Sequence, residues 1–227
     1  MTCLPAPFPV PLWRAFLSEL RIDVAQRPSD IERELDALYD RLVRPGDPLH
    51  GLPVLCIRFR GLVFRYREAD GEHYVYVEDT VRRCLAGYVV FNRLVELDRR
   101  ADPHLRAPHA KFAPAYQRRG IATAVYRWWL DAGKVLISGA RQSVGANALW
   151  QALGQRYELR YVELRDKRLR CLGRQVDERT RQDLHTRIVM LGKNWDVARL
   201  AACAGMRLEA DADAPSLPRQ RLSSRRP

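Results

Sequence analysis

The fold of this chain is decided by one stretch, Lys111-Phe112-Ala113-Pro114-Ala115-Tyr116-Gln117-Arg118-Arg119-Gly120-Ile121-Ala122-Thr123. It runs from an apolar strand end through a turn into an amphipathic helix. The amino terminus of such a helix presents unpaired N–H groups and a partial positive charge, which bind phosphate without dedicated side chains. Gly120 and Ala122 keep the backbone approachable because neither carries a large side chain. The stretch therefore predicts an anion-binding turn.

This turn resembles the acetyl-CoA signature of the GNAT superfamily of N-acetyltransferases. The signature, Gln/Arg-x-x-Gly-x-Gly/Ala, is met by Gln117, Gly120 and Ala122. The flanks agree with the family, since an apolar residue and a proline precede the turn and an amphipathic helix follows it.

A second match lies downstream, at residues 143–154. It is similar to the family's Asn-x-x-Ala-x-x-Leu-Tyr-x-x-x-Gly helix, but Ser143 stands where the family often has asparagine and Trp150 stands where it often has tyrosine. The two matches occur in the family's order, with a helix and a strand between them. Together they cover about residues 54 to 172.

The resemblance implies an α/β (α+β) fold, with a mixed, mostly antiparallel sheet flanked by helices. The sheet would open between its fourth and fifth strands, near Lys111 and Leu136. Apolar periodicity agrees, predicting strands at 54–58, 62–67, 74–77, 85–97, 109–113 and 135–138 and a hairpin at 157–172.

Additional helices are predicted outside this region, at 12–22, from Ser29 with capping-box chemistry, near 177–191 and at 194–204. The expected organisation is an N-terminal helical segment (1–50), a GNAT-like acetyl-CoA-binding domain (51–173), a C-terminal helical extension (174–210) and a disordered basic tail (211–227).

The resemblance also implies where acetyl-CoA would bind as co-substrate. Backbone groups near Phe112 and Ala113 would pair with the pantetheine arm, and the turn would hold the pyrophosphate. The residues expected to contact the cofactor are Phe112, Ala113, Gln117, Arg118, Arg119, Gly120, Ile121, Ala122 and Ser143.

Direct attack of a neutral amine on the thioester needs positioning and removal of a proton. His109 is the first candidate for the base, because a pKa near 6.5 suits the task. Glu78 and Asp79 are alternatives. If Trp150 replaces the family's tyrosine, Tyr116 or Tyr157 is expected to protonate the departing thiolate, or the thiolate leaves unassisted.

The charge balance admits a further class of partner. The formal net charge is +12, and only four of the 39 basic residues are lysines. An arginine-rich protein suits anionic partners such as coenzyme A or a nucleic acid bound by the basic tail, but a GC-rich bacterial genome would produce the same composition.

Compartment and metal content are predicted from other features. Five scattered cysteines without a CxxC pair argue against a disulfide framework and a zinc site, so a reducing cytoplasm and no metal are expected. The proline-interrupted N-terminus does not resemble a secretory signal, and no run reaches the length of a membrane span.

The predicted function is an acyl-CoA-dependent N-acetyltransferase acting on a small-molecule or protein amine. Two alternatives keep the fold without this chemistry: a non-catalytic acyl-CoA-binding protein, and a nucleic-acid- or virion-associated protein.

Overall fold

The structure is a computed structural model that describes residues 27–208. The helix predicted at 12–22 and the basic tail predicted at 211–227 lie outside the described residues.

Five α-helices and eight β-strands form within the described range. The helices are α1 (Pro28–Val43), α2 (Ile121–Asp131), α3 (Val144–Gly154), α4 (Glu178–Gln182) and α5 (Val197–Ala204). The strands are β1 (Leu62–Ala69), β2 (Glu72–Asp79), β3 (Cys84–Asn92), β4 (Leu105–Phe112), β5 (Val135–Ile137), β6 (Glu158–Arg165), β7 (Arg168–Gly173) and β8 (Thr186–Leu191).

All eight strands form one sheet in the order β1-β2-β3-β4-β5-β8-β6-β7. The strands β1 to β4 are an antiparallel meander. Its first turn is Asp70-Gly71, where both residues have positive φ, as a two-residue type I′ hairpin turn requires. The pairing of β4 with β5 is parallel, whereas the other neighbours are antiparallel. The expected mixed, mostly antiparallel sheet is therefore confirmed.

Helices cover both faces of the sheet. α2 and α3 pack on one face, where Val125 and Trp150 join Phe64 and Leu136 in a buried cluster. On the opposite face, α1 covers β2 and β3, and α5 covers β5, β8, β6 and β7.

The chain after Gly173 departs from the prediction. The helix predicted near 177–191 is wrong, because the chain forms only the short α4 and then β8. β8 reads Thr-Arg-Ile-Val-Met-Leu and is buried throughout, which favours a central strand. β8 lies between β5 and β6, and α5 packs in the core beside it. This segment thus completes the sheet and is not a separate helical extension.

Three smaller predictions also need correction. The segment predicted as a strand at 54–58 makes only an isolated bridge, Val54 to Arg65. β3 ends at Asn92 and not at Leu97. Helix α1 begins at Pro28 with Arg27 as N-cap and no capping side chain, so Ser29 lies inside the first turn and not at the cap.

Candidate functional site

The sheet opens between β4 and β5. The two strands are paired only at Leu105 with Val135 and at Arg106 with Leu136. From Ala107 to Phe112, β4 remains paired with β3 but has no strand partner on its other side within the described chain. Six β4 residues therefore leave an edge facing the gap, which lies near Lys111 and Leu136 as predicted.

The amino end of α2 lies at the mouth of this opening. Gly120 is its N-cap, with φ +80°, and no side chain caps the helix. The helical hydrogen bonds begin where the Ala124 N–H donates to the Gly120 carbonyl at 3.0 Å. The N–H groups of residues 121–123 precede that bond, so they are available to an anion.

Position 120 requires glycine because of its backbone conformation, and not because neighbouring atoms would crowd a side chain. A Cβ built on Gly120 would meet no atom within 4 Å, so the space in front of the turn is open. The positive φ strains any other L-residue except, to a smaller degree, asparagine and aspartate. Arg118 also has a positive φ, of 55°. Two residues of the turn, Arg118 and Gly120, therefore have the left-handed backbone conformation.

The residues expected to contact the cofactor lie around this mouth in different environments. Gln117, Arg118 and Arg119 are exposed, whereas Phe112 and Ile121 are buried with the α2 core. The Gln117 side chain donates from Nε2 to the Phe112 carbonyl at 2.9 Å, so it bridges the end of β4 to the turn.

The second predicted motif lies at the same edge of the sheet. Ser143 is the N-cap of α3, and its Oγ accepts from the Ala146 N–H at 3.2 Å. The β4–α2 and β5–α3 connections both leave the carboxyl ends of parallel strands, which is where open α/β sheets bind ligands. Gln142, next to Ser143, has a buried Oε1 with no hydrogen-bond partner in the described structure. A ligand N–H would satisfy this oxygen.

His109 is the predicted base that lies beside the opening. It belongs to the part of β4 without a β5 partner, and its ring is 6.5 Å from the Tyr88 ring on the face covered by α1. Burial lowers the pKa of His109, and the positive charge of Lys111 lowers it further, while Glu34 opposes the shift. The imidazole is therefore neutral at pH 7 and able to accept a proton.

Three residues around His109 were not predicted from the sequence. Glu34 of α1 accepts from Tyr88 Oη and from Lys111 Nζ, each at 2.6 Å. These contacts join α1 to two strands that are far away along the chain. No local sequence pattern indicates the contacts of Glu34. The sequence does indicate that Lys111 lies on the same face as His109, because residues two apart on a strand share a face.

Glu78 and Asp79 both lie at the end of β2, and both are engaged by groups other than His109. The Glu78 carboxylate accepts from Arg65 Nε at 2.6 Å. Asp79 accepts from the Arg82 N–H and from Tyr116 Oη, and the pKa of Asp79 is lowered, mainly by the backbone hydrogen bond from Arg82. Since β3 separates both carboxylates from β4, the structure does not bring them together with His109.

Neither Tyr157 nor Trp150 presents an acid at the turn. Tyr157 donates to Asp131 Oδ1 at 2.7 Å, which places its hydroxyl at the carboxyl end of α2, opposite the turn at Gly120. The indole of Trp150 is 3% exposed and packs in the core between α2 and the sheet. The hydroxyl of Tyr116 is committed to Asp79. None of these groups faces the opening as an acid.

Solved structures with related folds were found by comparison. The chain is similar in structure to GNAT-superfamily acetyltransferases. One is a GNAT phosphinothricin acetyltransferase from Sinorhizobium meliloti in complex with AcCoA, with 18% identity and a TM-score of 0.34, over 56% of this chain and 65% of that one. The chain thus spans just under two thirds of that protein.

Two further structures have comparable scores. A protein from Bordetella pertussis assigned to the GNAT family of acetyltransferases has 15% identity and a TM-score of 0.36, over 62% of this chain and 99% of that one. A spermidine N-acetyltransferase chimera from Vibrio cholerae and the human enzyme hSSAT has 15% identity and a TM-score of 0.33, over 74% and 92%.

Comparison of the sequence itself gives no match, either to a protein-family model or to a curated protein. Within residues 27–208, no helix is both long and apolar enough to cross a membrane. The same residues contain no cluster of three or more His, Cys, Asp or Glu side chains placed to hold a metal ion.

Proposed function

We propose that this protein transfers an acetyl group from acetyl-CoA to an amine, with the cofactor in the opening between β4 and β5. The observation that carries the proposal is the parting of two parallel strands beside an uncapped helix. β4 and β5 are paired at two positions only, and the free edge of β4 leads directly to the exposed amides of α2.

The opening fits the chemistry of coenzyme A. The pyrophosphate is an anion, and the amino end of α2 offers N–H groups, no acidic residue in its first turn, and the guanidinium groups of Arg118 and Arg119 nearby. The pantetheine arm carries amides, which the free edge of β4 and the buried Gln142 Oε1 would pair with.

Bound acetyl-CoA would supply an acetyl group already activated as a thioester. His109 would take the proton that the attacking amine loses as its nitrogen bonds to the acyl carbon and the sulfur departs as a thiolate. Lys111 would hold the imidazole neutral before the reaction, because its positive charge opposes a second one close by. Glu34 fixes the Lys111 ammonium by accepting its hydrogen bond.

The hydroxyls of Tyr116 and Tyr157 are bonded to Asp79 and Asp131, so we expect the thiolate to leave without help from either tyrosine and to take a proton from water. We expect the acceptor to be a small-molecule or protein amine.

Calorimetry with acetyl-CoA on two variants of Gly120 tests the binding site. Aspartate and asparagine have similar size and both tolerate positive φ, so Gly120→Asp and Gly120→Asn impose similar backbone strain. Gly120→Asp adds a negative charge against the pyrophosphate and should weaken binding by about tenfold or more relative to Gly120→Asn. Equal affinity of the two variants would overturn the placement of the pyrophosphate.

A screen of amine acceptors, corrected for acetyl-CoA hydrolysis, tests the chemistry. Turnover that falls about 100-fold in His109→Gln while acetyl-CoA still binds would support His109 as base. Binding of acetyl-CoA with no turnover on any amine would instead favour the non-catalytic acyl-CoA-binding protein. Steeply salt-dependent retention of DNA or RNA without binding of acetyl-CoA would favour the nucleic-acid-associated alternative.

A further inference from the structure

Two turns at one edge of the sheet are locked together by a buried carboxylate. Asp79 ends β2, and it accepts hydrogen bonds from the Val81 and Arg82 N–H groups at 3.1 and 2.9 Å. Its other oxygen accepts from Tyr116 Oη at 2.8 Å. Tyr116 belongs to the short 3-10 turn that leads into Gln117 and α2. The β2–β3 turn is thereby fixed against the turn that precedes α2.

The ring of Tyr116 is a platform for two arginines. The guanidinium carbon of Arg82 lies 5.8 Å from the ring centroid, and that of Arg119 lies 5.4 Å from it. Arg82 comes from the β2–β3 turn and Arg119 from the β4–α2 turn, and both are exposed. Contact with an aromatic ring restricts a guanidinium while leaving N–H groups at its rim to bind an anion.

The surroundings of this pair are strongly positive. Residues 79–83 and 114–120 together contain four arginines and one acid, Asp79. The Asp79 carboxylate is engaged by the hydrogen bonds that it accepts from the Val81 and Arg82 N–H groups and from Tyr116 Oη. An anion with more than one negative charge would be attracted to this edge more strongly than a monoanion.

We infer that Arg82 and Arg119, held over Tyr116, form a second phosphate subsite that recognises the 3′-phosphate of coenzyme A. This inference rests on the proposed function, which places the pyrophosphate at the α2 amides next to Arg119. Coenzyme A carries one further phosphate, a phosphomonoester on the ribose, whose charge near pH 7 is between −1 and −2. It is the group in the cofactor that best matches two adjacent guanidinium groups.

Binding of coenzyme A and of 3′-dephospho-coenzyme A, measured by calorimetry, tests the inference. The two compounds differ only in the phosphate at issue. The wild-type protein should bind coenzyme A about tenfold or more tightly than the dephospho compound. Arg82→Gln should reduce this ratio while retaining affinity for the dephospho compound. Arg119→Gln should also reduce the ratio, but it should weaken binding of both compounds because Arg119 lies beside the pyrophosphate as well. The double variant should bring the ratio close to one.

Arg83→Gln is the matched control, because it removes the same charge from the same turn. Among the described residues, the cations over the Tyr116 ring are Arg82 and Arg119, so Arg83→Gln should keep the preference for coenzyme A. Loss of the preference in Arg83→Gln to the same degree as in Arg82→Gln would overturn the subsite, since net charge alone would then explain it.

The remaining outcomes separate this inference from the proposed function. Equal affinity of the wild-type protein for both compounds would overturn the 3′-phosphate subsite and leave the cofactor site intact. Binding of neither compound would overturn both.

Tyr116 is a positioning residue in this arrangement. Tyr116→Phe keeps the ring and should retain most of the preference, whereas Tyr116→Leu removes the platform and should lower it. If Tyr116→Leu does not fold, the subsite is tested by Arg82→Gln alone, through its ratio of affinities for coenzyme A and 3′-dephospho-coenzyme A.

Discussion

Gly87 of β3 lies so close to Phe112 of β4 that a Cβ atom at Gly87 would stand 2.3 Å from Cδ1 of the Phe112 ring. The same atom would stand 2.4 Å from the carbonyl oxygen of Lys111. The absence of a side chain at Gly87 therefore lets the end of β4 settle on β3, immediately before the turn that leads to α2.

Gly87→Ala should lower the free energy of unfolding by about 1–3 kcal/mol, because the added methyl group must displace backbone as well as a ring. It should also weaken acetyl-CoA binding, since the free edge of β4 would shift. Chemical denaturation and calorimetry measure the two effects. Gly145→Ala is the control: this glycine lies in α3 with nothing within 4 Å of its Cβ, so alanine there should raise stability by about 0.5–1 kcal/mol. A Gly87→Ala variant as stable as the wild type would contradict the packing.

The pH profile should report the charges around His109. Because its pKa lies below the ordinary value of about 6.5, the base form dominates at neutral pH, and kcat/KM should fall only as the pH drops through the lowered pKa. Lys111→Met removes the cation that lowers the pKa, so the acid limb should move to higher pH. Glu34→Gln removes the anion that raises the pKa, so the limb should move to lower pH. A limb that stays in place in both variants would show that another group is the base.

Trp150→Tyr should affect stability and not chemistry. The indole is buried in the core between α2 and the sheet, and a smaller, more polar ring leaves unfilled volume. A loss of about 1–3 kcal/mol in unfolding free energy is expected, with unchanged acetyl-transfer rate per folded molecule. Thermal melts and single-turnover rates on the same preparation measure both. A faster transfer in the variant would restore the view that position 150 assists the leaving thiolate.

Tyr157→Phe should leave turnover unchanged. Its hydroxyl is bonded to Asp131 at the carboxyl end of α2, and burial, followed by Asp131, raises the pKa of Tyr157, so the group stays protonated and engaged. Loss of this hydrogen bond should cost about 1 kcal/mol or less in stability. Asp131→Asn keeps an acceptor for the hydroxyl and serves as the comparison. A tenfold loss of kcat in Tyr157→Phe alone would place this tyrosine in the reaction.

The sequence by itself determined the local parts of this protein. The strand, turn and helix around Gly120 depend on a left-handed glycine and on apolar periodicity, both of which are properties of neighbouring residues. The same is true of the Asp70-Gly71 hairpin and of α3 with its Ser143 cap. The family resemblance supplied the expectation that the sheet opens near Lys111 and Leu136.

Tertiary structure alone decided which distant residues meet. The sequence of β8 is a short apolar run that fits a helix as well as a strand. It forms a strand because its place between β5 and β6 buries it on both faces. The same holds for Glu34 beside Lys111 and for Asp79 beneath Tyr116, where the partners are 77 and 37 residues apart. Side-chain contacts of this kind depend on strand order and register, which long-range packing fixes and local propensity does not.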